Sequence, residues 1–424
     1  MGARLALWAY SALLRLATPL VLARWWWRGR HEPAYRSAWG ERLGFASGEQ
    51  QPGRLWLHAV SLGETRAAAA LIDALRVQQP GLRLLLTHGT ATGRDAGRTL
   101  LRGGDVQAWL PYDTPGAVQR FLRAHRPVVG VLMETEVWPN LLAAARAAGV
   151  PMVLANARLS QRSLVKGLRL TALMRPAVAA FTRVLAQTDD DAQRLRQMGA
   201  ASVDVPGNLK FDMTPDAAHI AQGRQWRVAA GRAVVLAAIT REGEEPPLLQ
   251  AWTALPSPRP LLLLVPRHPQ RFDEVAGMVA EVGLSLARRS TWAAEPPGDA
   301  ATADVWLGDS LGEMPQYYAM ADVALLGGSF APLGGHNLIE AAACGCPLLM
   351  GPHTFNFKQA AQWAQAAGAA ERVSDIHAGV LRAAAVAIDP ARAAWSARAL
   401  AFAAQHRGAA ARMAREVLAV RRVD

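Results

Sequence analysis

Cysteine is nearly absent from this chain, which carries two among 424 residues. Two cysteines cannot build a disulfide framework or a cysteine-rich zinc module. Cys344 and Cys346 lie two positions apart in an alanine-rich stretch, and we interpret them as small core residues. Nothing in the cysteine content demands an oxidising compartment.

Several catalytic motifs are missing as well. The sequence has no Walker A loop, no G-x-S-x-G nucleophile elbow and no H-E-x-x-H zinc motif. The run Asp189-Asp190-Asp191 contains D-x-D, a metal–diphosphate pattern, but it follows an apolar run and opens a helical stretch. We interpret it as helix capping. No set of metal ligands is recognisable, and we predict neither a metal nor a cofactor.

Lysine is scarce, since three of the 46 basic residues are lysines, against 34 acidic residues. The formal net charge of +12 is spread along the chain without a long basic block. Nucleic-acid binders usually show a basic stripe or a known module. Neither is present, so we predict no nucleic-acid partner. The charge suits an anionic membrane surface or an anionic substrate, and a compositional bias toward arginine and alanine is the alternative.

The amino terminus carries a long apolar run. Leu5–Ala23 is interrupted by a charge only at Arg15, which would cost about 3 kcal/mol at the centre of a spanning helix. Pro19 weakens the helix further. The tryptophans and arginines of Arg24–Arg30 suit a headgroup boundary and hold the following chain on the cytoplasmic side. We expect residues 1–30 to be an uncleaved anchor, either a span or an interfacial helix; a helix in the protein core is the alternative.

The rest of the chain alternates short apolar runs with helical stretches, in two successive sets. Continuous apolar strands separated by helices predict an α/β fold with parallel sheets that are covered on both faces. The first set of predicted strands is Leu55–Val60, Leu82–Thr87, Val106–Leu110, Val128–Met133, Pro151–Ala155, Val184–Ala186 and Ser202–Val205. The second set is Ala233–Ala238, Pro260–Val265, Leu284–Ala287, Asp304–Leu307, Val323–Leu326 and Pro347–Met350.

A hinge is predicted at Pro206–Pro215, which is rich in Pro, Gly and Asn. It divides the chain into an anchor (1–30), a first Rossmann-like domain (31–207), a second Rossmann-like domain (208–390) and closing helices (391–424). Two such halves joined by a hinge predict a cleft that faces the carboxyl ends of both sheets.

Acidic residues end two strands of the first half. Glu64 opens a helix after Gly63, where a carboxylate suits a general base for a hydroxyl; a first-turn glutamate that favours the helix dipole is the alternative. Glu134 and Glu136 end the fourth strand. One of them faces the cleft while the other starts the helix, or both cap the helix; the sequence leaves both interpretations open. Lys210, in the hinge, is either a cation for a phosphate or acid, or a solvated surface residue.

The second half carries features that suit an anion. Arg267 follows a strand directly, and its guanidinium suits a phosphate. Gly308–Glu313 again sets Gly and Glu at a strand-to-helix turn. Gly327–Glu340 leads glycine pairs into a helix, a cradle of free N–H groups. Glu340 suits hydrogen bonds from a ribose diol; a purely structural glycine-rich turn is the alternative.

Taken together, these motifs resemble those of the bacterial Kdo transferases, the 3-deoxy-D-manno-octulosonic-acid transferases of lipopolysaccharide synthesis. The resemblance runs from about Trp39 to the end and rests on seven motifs in order. These are HAVSLGE, TATG, METEVWPN, NARLS, GNLKFD, PRHPQRF and GGSFAPLGGHNLIEAA. Each is weak alone, but seven at these spacings are highly specific.

The resemblance implies a GT-B glycosyltransferase with two Rossmann-like domains, a CMP-Kdo donor in the second and a phosphorylated lipid A precursor, lipid IVA, in the first. It implies an inverting enzyme on the cytoplasmic face of the cell inner membrane, in contact with its lipids. The family's base falls on Glu64, its transition-state carboxylate on Glu134 and its cationic partner on Lys210. Its donor contacts fall on Pro266, Arg267, Leu311, Gly312, Glu313, Asn337, Leu338, Ile339 and Glu340.

One stretch departs from the family pattern. A Ser-Thr-His-like stretch is usual after the first strand of the second domain, and here Ala237–Glu244 reads AAITREGE. Ile239 and Arg241 replace residues that the family uses for the contact to the donor's acid sugar, and Arg241 is available there as a cation. The rival functions are another nucleotide-sugar enzyme, such as an epimerase or a different glycosyltransferase, and a non-catalytic membrane protein that binds nucleotide.

Overall fold

The computed structural model describes residues 2–30, 32–46, 52–212, 214–293 and 295–421. The chain divides into two compact units. The first comprises Met1–Asp212 and Arg407–Asp424, and the second comprises Met213–His406. The division between residues 212 and 213 lies within the predicted hinge, and each unit is built on its own parallel sheet.

The first unit has a seven-stranded, all-parallel sheet in the order β3-β2-β1-β4-β5-β6-β7. All seven predicted strands of this half are confirmed. They are β1 (Leu55–His58), β2 (Leu84–His88), β3 (Val106–Trp109), β4 (Val129–Met133), β5 (Met152–Ala157), β6 (Arg183–Ala186) and β7 (Val203–Asp204).

Helices cover both faces of this sheet, as the buried apolar strands require. The helices of this unit that precede the hinge are, in chain order, α1 (Gly2–Arg28), α2 (Trp39–Arg42), α3 (Leu62–Gln78), α4 (Ala91–Arg98), α5 (Pro115–His125), α6 (Pro139–Ala147), α7 (Gln161–Arg169), α8 (Thr171–Val178) and α9 (Asp189–Met198). The D-x-D run lies in the first turn of α9, where Asp191 and the cap residue Thr188 bond to each other. This agrees with the capping interpretation.

The second unit repeats the architecture, with strand order β10-β11-β9-β8-β12-β13-β14, all parallel. Its strands are β8 (Val234–Thr240), β9 (Leu261–Pro266), β10 (Leu286–Arg288), β11 (Val305–Leu307), β12 (Val323–Leu326), β13 (Leu348–Met350) and β14 (Ala370–Arg372). Its helices are α10 (Ala217–Ala229), α11 (Glu245–Thr253), α12 (Phe272–Glu281), α13 (Met314–Met320), α14 (Leu338–Ala343), α15 (Lys358–Ala366), α16 (Ile376–Ile388) and α17 (Arg392–Gln405). The six predicted strands are confirmed, and β14 is additional.

The two closing helices belong to different units. Helix α17 packs against α14 and α16 of the second unit, whereas α18 (Ala409–Ala419) packs against α3 of the first. Asp212 accepts hydrogen bonds from the backbone N–H groups of Gly408 and Ala410, which fixes the start of α18 beside the Leu209–Asp212 turn. The prediction placed residues 391–424 in one closing segment, whereas the structure divides them between the two units.

Helix α1 is the one helix, among the residues that the structure describes, that is long and apolar enough to cross a membrane. Little of it is buried, so the alternative of a helix enclosed in the protein core is wrong.

Candidate functional site

The turn after β1 holds Glu64 in a closed geometry. Ser61 caps α3 and accepts a hydrogen bond from the Glu64 N–H group at 3.4 Å. The Glu64 carboxylate returns to the turn, accepting from the Val60 N–H group at 2.8 Å and from the Ser61 hydroxyl at 3.1 Å. This arrangement is a variant of the capping box, in which Glu64 accepts from the N–H group one residue before the cap, and it fixes the rotamer of Glu64. The half-buried carboxylate is therefore ordered before any ligand binds.

The TATG motif supports this turn from the next strand. Thr90 donates its hydroxyl hydrogen to the Val60 carbonyl oxygen at 3.0 Å and caps α4. Gly93 lies against the turn so closely that an added Cβ would come 3.0 Å from the Val60 oxygen and 3.1 Å from the Ser61 carbonyl carbon. A larger residue would have to push the neighbouring backbone away by a few tenths of an ångström, so glycine suits this close approach between two backbones.

Two buried histidines underlie the same turn. His58 Nδ1 lies 2.9 Å from the Thr87 hydroxyl, and His88 Nδ1 lies 3.0 Å from the Ala59 carbonyl oxygen. Burial lowers the pKa of His58 to about 3 and that of His88 to about 4. Both rings are therefore neutral at physiological pH, and His88 ties the Glu64 turn to β2.

We expect His88→Gln to lower the free energy of unfolding less at pH 5 than at pH 7.5. The unfolded-state pKa is about 6.5. The lowered folded-state pKa thus gives stability that is present above pH 6.5 and lost as the pH falls toward 4. The gap between the parent protein and the variant should shrink by about 2 kcal/mol over this interval. Urea unfolding of both proteins at the two pH values measures it, and an unchanged gap contradicts a neutral His88.

Two further carboxylates and one arginine extend from the neighbouring strands β4 and β5. Glu134 follows β4 with a φ of 57°, a left-handed conformation that is uncommon for glutamate. Its side chain lies 3.9 Å from the Arg158 guanidinium, and its carbonyl oxygen accepts from the Arg158 N–H group at 3.3 Å. Glu136 accepts a hydrogen bond from the Trp138 indole at 2.8 Å. Strain of this kind gathers at functional sites.

The electrostatics of these groups show that they share one environment. Burial raises the pKa of Glu64, and the negative charge of Glu134 raises it further. Burial and the charge of Glu64 raise the pKa of Glu136 to about 7. A carboxylate with a raised pKa is a stronger base than one in water, while Glu136 is partly protonated near neutral pH. The cluster can therefore accept a proton from a hydroxyl and hold it.

Lys210 lies on a turn that is fixed by a chain of amides. The Asn156 side chain accepts a hydrogen bond from the Leu209 N–H group at 3.1 Å. Gln187 donates to the Asn156 carbonyl oxygen at 2.9 Å and accepts from the Asn208 side chain at 3.0 Å. The NARLS and GNLKFD motifs are thus joined directly. This linkage fixes the backbone from which the half-buried Lys210 side chain extends.

We expect Asn156→Ala to lower the free energy of unfolding by about 2–3 kcal/mol. The change leaves the buried Leu209 N–H group without its acceptor, and it puts alanine at a φ of 51°, where asparagine is tolerated. Urea unfolding measures the loss, with the exposed Arg169→Ala as the control. Equal stability of the two variants contradicts a positioning role for Asn156.

In the second unit, a buried carboxylate organises the glycine-rich loop. Glu244 Oε2 accepts from the N–H groups of Arg241 at 2.9 Å and Gly328 at 2.8 Å. Its Oε1 accepts from those of Phe330 at 3.1 Å and Ala331 at 3.2 Å. The loop after β12 is thereby held against the turn after β8.

The same contact demands glycine at position 327. An added Cβ there would lie 2.3 Å from the Ile239 carbonyl oxygen and 2.6 Å from that of Ala238. Ile239 itself has a φ of 59°, which is strained for a β-branched residue. The stretch Ala237–Glu244, which departs from the family pattern, is therefore packed in a defined conformation at this edge of the sheet.

Cationic and imidazole groups gather at the ends of β8, β9 and β12, the three central strands. Burial lowers the pKa of His336 to about 4, with the charges of Arg267, Arg241 and His268 as further causes. The buried His336 Nε2 has no hydrogen-bond partner among the residues that the structure describes. The Arg267 N–H group is fixed by the Thr240 carbonyl oxygen at 2.9 Å, and its side chain is exposed. This arrangement favours an anionic ligand.

The remaining predicted donor contacts lie on the same edge of this sheet. Leu311 is 76% exposed, whereas Glu313 bonds to Arg289 at 2.6 Å and to the Tyr317 hydroxyl at 3.0 Å. Asn337 caps α14 by accepting from the Ile339 N–H group. The side chains of Leu338 and Ile339, like that of Pro266, are buried, and Glu340 is half-buried. Leu338, Ile339 and Pro266 therefore expose little surface to a ligand in this structure.

The structure therefore brings the predicted residues into two groups, one in each unit. Glu64, Glu134 and Lys210 follow strands of the first sheet, and the donor residues follow strands of the second. Arg158, Glu244 and His336 are the additions, and each lay inside a quoted motif or stretch without a role. Glu136, whose role the sequence left open, joins the first group. Within the described ranges, no group of three or more His, Cys, Asp or Glu side chains is arranged to hold a metal.

Comparisons with known proteins bear on the fold and the family of this chain. The family model described as 3-deoxy-D-manno-octulosonic-acid transferase (kdotransferase) matches residues 37–213. Among solved structures, Anabaena HepE in complex with UDP is 16% identical, with a TM-score of 0.57 over 86% of this chain and 99% of that one. A UDP-GlcNAc 2-epimerase from Neisseria meningitidis is 14% identical, with a TM-score of 0.55 over 87% and 99%. These likenesses show a GT-B fold, which transferases and epimerases share.

Sequence similarity is more specific than the fold. The 3-deoxy-D-manno-octulosonic acid transferase of Bordetella pertussis is 50% identical over 418 residues, which cover 95% of this chain and 96% of that protein. Identity at this level over both full lengths exceeds what a shared fold produces. The chain belongs to the 3-deoxy-D-manno-octulosonic-acid transferase family of glycosyltransferases.

Proposed function

We propose that this enzyme moves Kdo from CMP-Kdo to a hydroxyl group of a phosphorylated lipid A precursor, lipid IVA, at the cytoplasmic face of the inner membrane. The observation that carries the proposal is the ordered, half-buried Glu64, with a raised pKa, in a chain that is 50% identical to a Kdo transferase. A binding protein or a regulator would not need this base.

Glu64 takes the proton of the acceptor hydroxyl as its oxygen attacks the anomeric carbon of Kdo. The bond from that carbon to the CMP phosphate oxygen breaks, CMP leaves, and one displacement inverts the anomeric centre. Glu134 stands beside Glu64, and its negative charge suits the positive charge that develops on the sugar ring. Lys210 supplies a cation to an acidic group of the substrates.

The donor is proposed to bind at the carboxyl edge of the second sheet. Arg267 meets the phosphate, whose negative charge grows as CMP leaves. The exposed Leu311 offers an apolar surface to the base, and Glu340 accepts hydrogen bonds from the ribose diol. Arg241 and His336 are the groups available for the carboxylate and hydroxyls of Kdo, in place of the residues that are usual in the family.

The acceptor accounts for two features of the whole chain. A lipid A precursor is anionic and lies in the membrane, which suits the net charge of +12 and the apolar α1. Association with the membrane is expected to resist high salt and to be lost when residues 1–30 are deleted.

The decisive experiment incubates the purified enzyme with lipid IVA and either CMP-Kdo or UDP-sugars, with mass spectrometry of the lipid. We expect a mass increase by Kdo with CMP-Kdo alone. Transfer from a UDP-sugar, or epimerisation of a nucleotide sugar without any lipid product, supports the rival enzyme functions. Binding of CMP without turnover of either donor supports the non-catalytic one.

A further inference from the structure

The amino-terminal helix α1 is held against the first unit at two separate places. Near its start, Ser11 is buried, and its hydroxyl lies 2.8 Å from Asn140 Oδ1. The Tyr10 hydroxyl donates to Asp113 at 3.0 Å. Asp113 in turn accepts from the Asn140 and Leu141 N–H groups, which open α6. A polar contact between buried groups fixes both position and rotation of a helix.

The second place lies at the end of α1. The Arg42 guanidinium lies 4.3 Å from the Trp25 ring and 3.8 Å from the Trp109 ring, between two aromatic faces. Trp25 also packs edge-on against Tyr112, with ring centroids 6.1 Å apart. Arg36 donates to the Trp26 carbonyl oxygen at 3.1 Å. Stacked cation–aromatic contacts of this kind are strong because both partners are removed from water.

These two attachments leave too little free helix to cross a bilayer. Residues 10 and 25 are separated by about 22 Å along the axis at 1.5 Å per residue, and both are bound to the same unit. The part before Tyr10 spans about 12 Å, compared with the roughly 30 Å of a hydrocarbon core. A spanning α1 would have to break the hydrogen bonds that Tyr10 and Ser11 make to Asp113 and Asn140.

The exposed side of α1 has the opposite character. Five large apolar residues fall within an arc of about 80° at 3.6 residues per turn, and this arc is centred about 150° from Tyr10 and Ser11. They include Leu16 and Leu20, which are 79% and 75% exposed, and the set within this arc is Leu5, Leu13, Leu16, Leu20 and Trp27. The exposed Trp8 and Trp26 lie outside it, about 100° from its centre. Arg15 lies on the flank between the two sides and is exposed. An apolar stripe with a cation at its border is typical of a helix in the membrane interface.

Elements beside α1 carry the same chemistry. Helix α8 packs against α1, and α7 packs against α8. Between them, these helices expose Val165, Leu168 and Leu170 together with Lys166 and Arg169. Apolar side chains mixed with cations complement the acyl boundary and the anionic headgroups of one leaflet.

From these contacts we infer that α1 lies in the plane of the membrane, on one leaflet, and does not span the bilayer. The inference rests on the membrane association proposed above and deepens it. The occupant of the exposed face is the headgroup–acyl boundary of an anionic bilayer. Because Ser11 and Tyr10 bind Asn140 and Asp113 at the start of α6, the membrane helix is joined to the segment that follows Glu134 and Glu136.

Cysteine labelling in the full-length protein tests the topology. In a Cys344→Ser, Cys346→Ser background, Gly2→Cys and the exposed Asp73→Cys are treated with a membrane-impermeant maleimide. We expect both to react in inside-out inner-membrane vesicles and neither in intact spheroplasts. Labelling of Gly2→Cys, but not Asp73→Cys, in spheroplasts means that α1 spans the membrane and overturns the inference.

A cross-link in the same membranes tests the docking. We expect the pair Ser11→Cys, Asn140→Cys to form a disulfide under mild oxidation, and the control pair Leu16→Cys, Asn140→Cys to form none. Absence of the first cross-link overturns the inference. If the enzyme fractionates with the soluble proteins, it does not lie at the membrane, and the inference is overturned. Kdo transfer to detergent-dispersed acceptor is measured separately, so failure of the reaction and failure of the topology are distinguishable.

Discussion

Glu64→Gln is expected to lose turnover by roughly 10³-fold while it retains CMP binding and stability, because loss of a positioned general base costs about 10²–10⁴ in rate. The amide oxygen of glutamine can still accept the Val60 N–H group, so the capping box of α3 survives the change. The amide cannot accept a proton from the acceptor hydroxyl. Single-turnover transfer from CMP-Kdo to the lipid measures the effect.

Two controls separate this loss from damage to the helix. Asp73→Asn removes an exposed carboxylate from the same helix α3, and we expect wild-type turnover. Glu64→Ala removes the capping box as well as the base, so it should lose stability in addition to activity. Near-normal transfer by Glu64→Gln would show that the proton goes elsewhere, with Glu136 as the next group to test because its pKa is raised to about 7.

The strands could be predicted because their cause is local. Leu84–His88 and Val129–Met133 are buried on both faces of a parallel sheet, and such strands appear in the sequence as continuous apolar runs. Strand β14 was missed because it lacks this local signal. Ala370–Arg372 has a single neighbouring strand, includes two charged residues and shows no apolar run.

The candidate site could be predicted only at residues whose type, together with their neighbours in the sequence, indicates a role. Glu64 follows Gly63 at a helix start, and the structure adds that it also serves as the cap residue's partner, so the two interpretations of Glu64 are compatible. The left-handed φ of Glu134 and Ile239 has no sequence signal, since neither residue favours it. Contacts that join distant segments, such as Asn156 with Leu209, depend on the complete fold.

Glu244 is the clearest case of a long-range contact, and its replacement should have the second large effect. Each of its two oxygens accepts two backbone N–H groups, three of them 84 to 87 residues away in the glycine-rich loop. In Glu244→Gln one oxygen becomes an NH₂ group, which faces two N–H donors that it cannot satisfy. Leaving two buried donors unpaired costs about 1–3 kcal/mol each, so the loop should detach from the turn after β8.

The expected result is at least a tenfold weaker affinity for CMP and faster amide hydrogen exchange at Gly328, Phe330 and Ala331. Calorimetry and hydrogen-exchange mass spectrometry measure the two effects. The control is Glu242→Gln, two residues earlier and exposed, which removes the same charge without touching the loop. If both variants weaken the binding of CMP equally, the effect comes from the lost negative charge and not from the hydrogen bonds to the loop. Slow exchange of the loop in Glu244→Gln would mean that the three hydrogen bonds from the loop to Glu244 do not hold it, because the amide donors then remain protected without their acceptor.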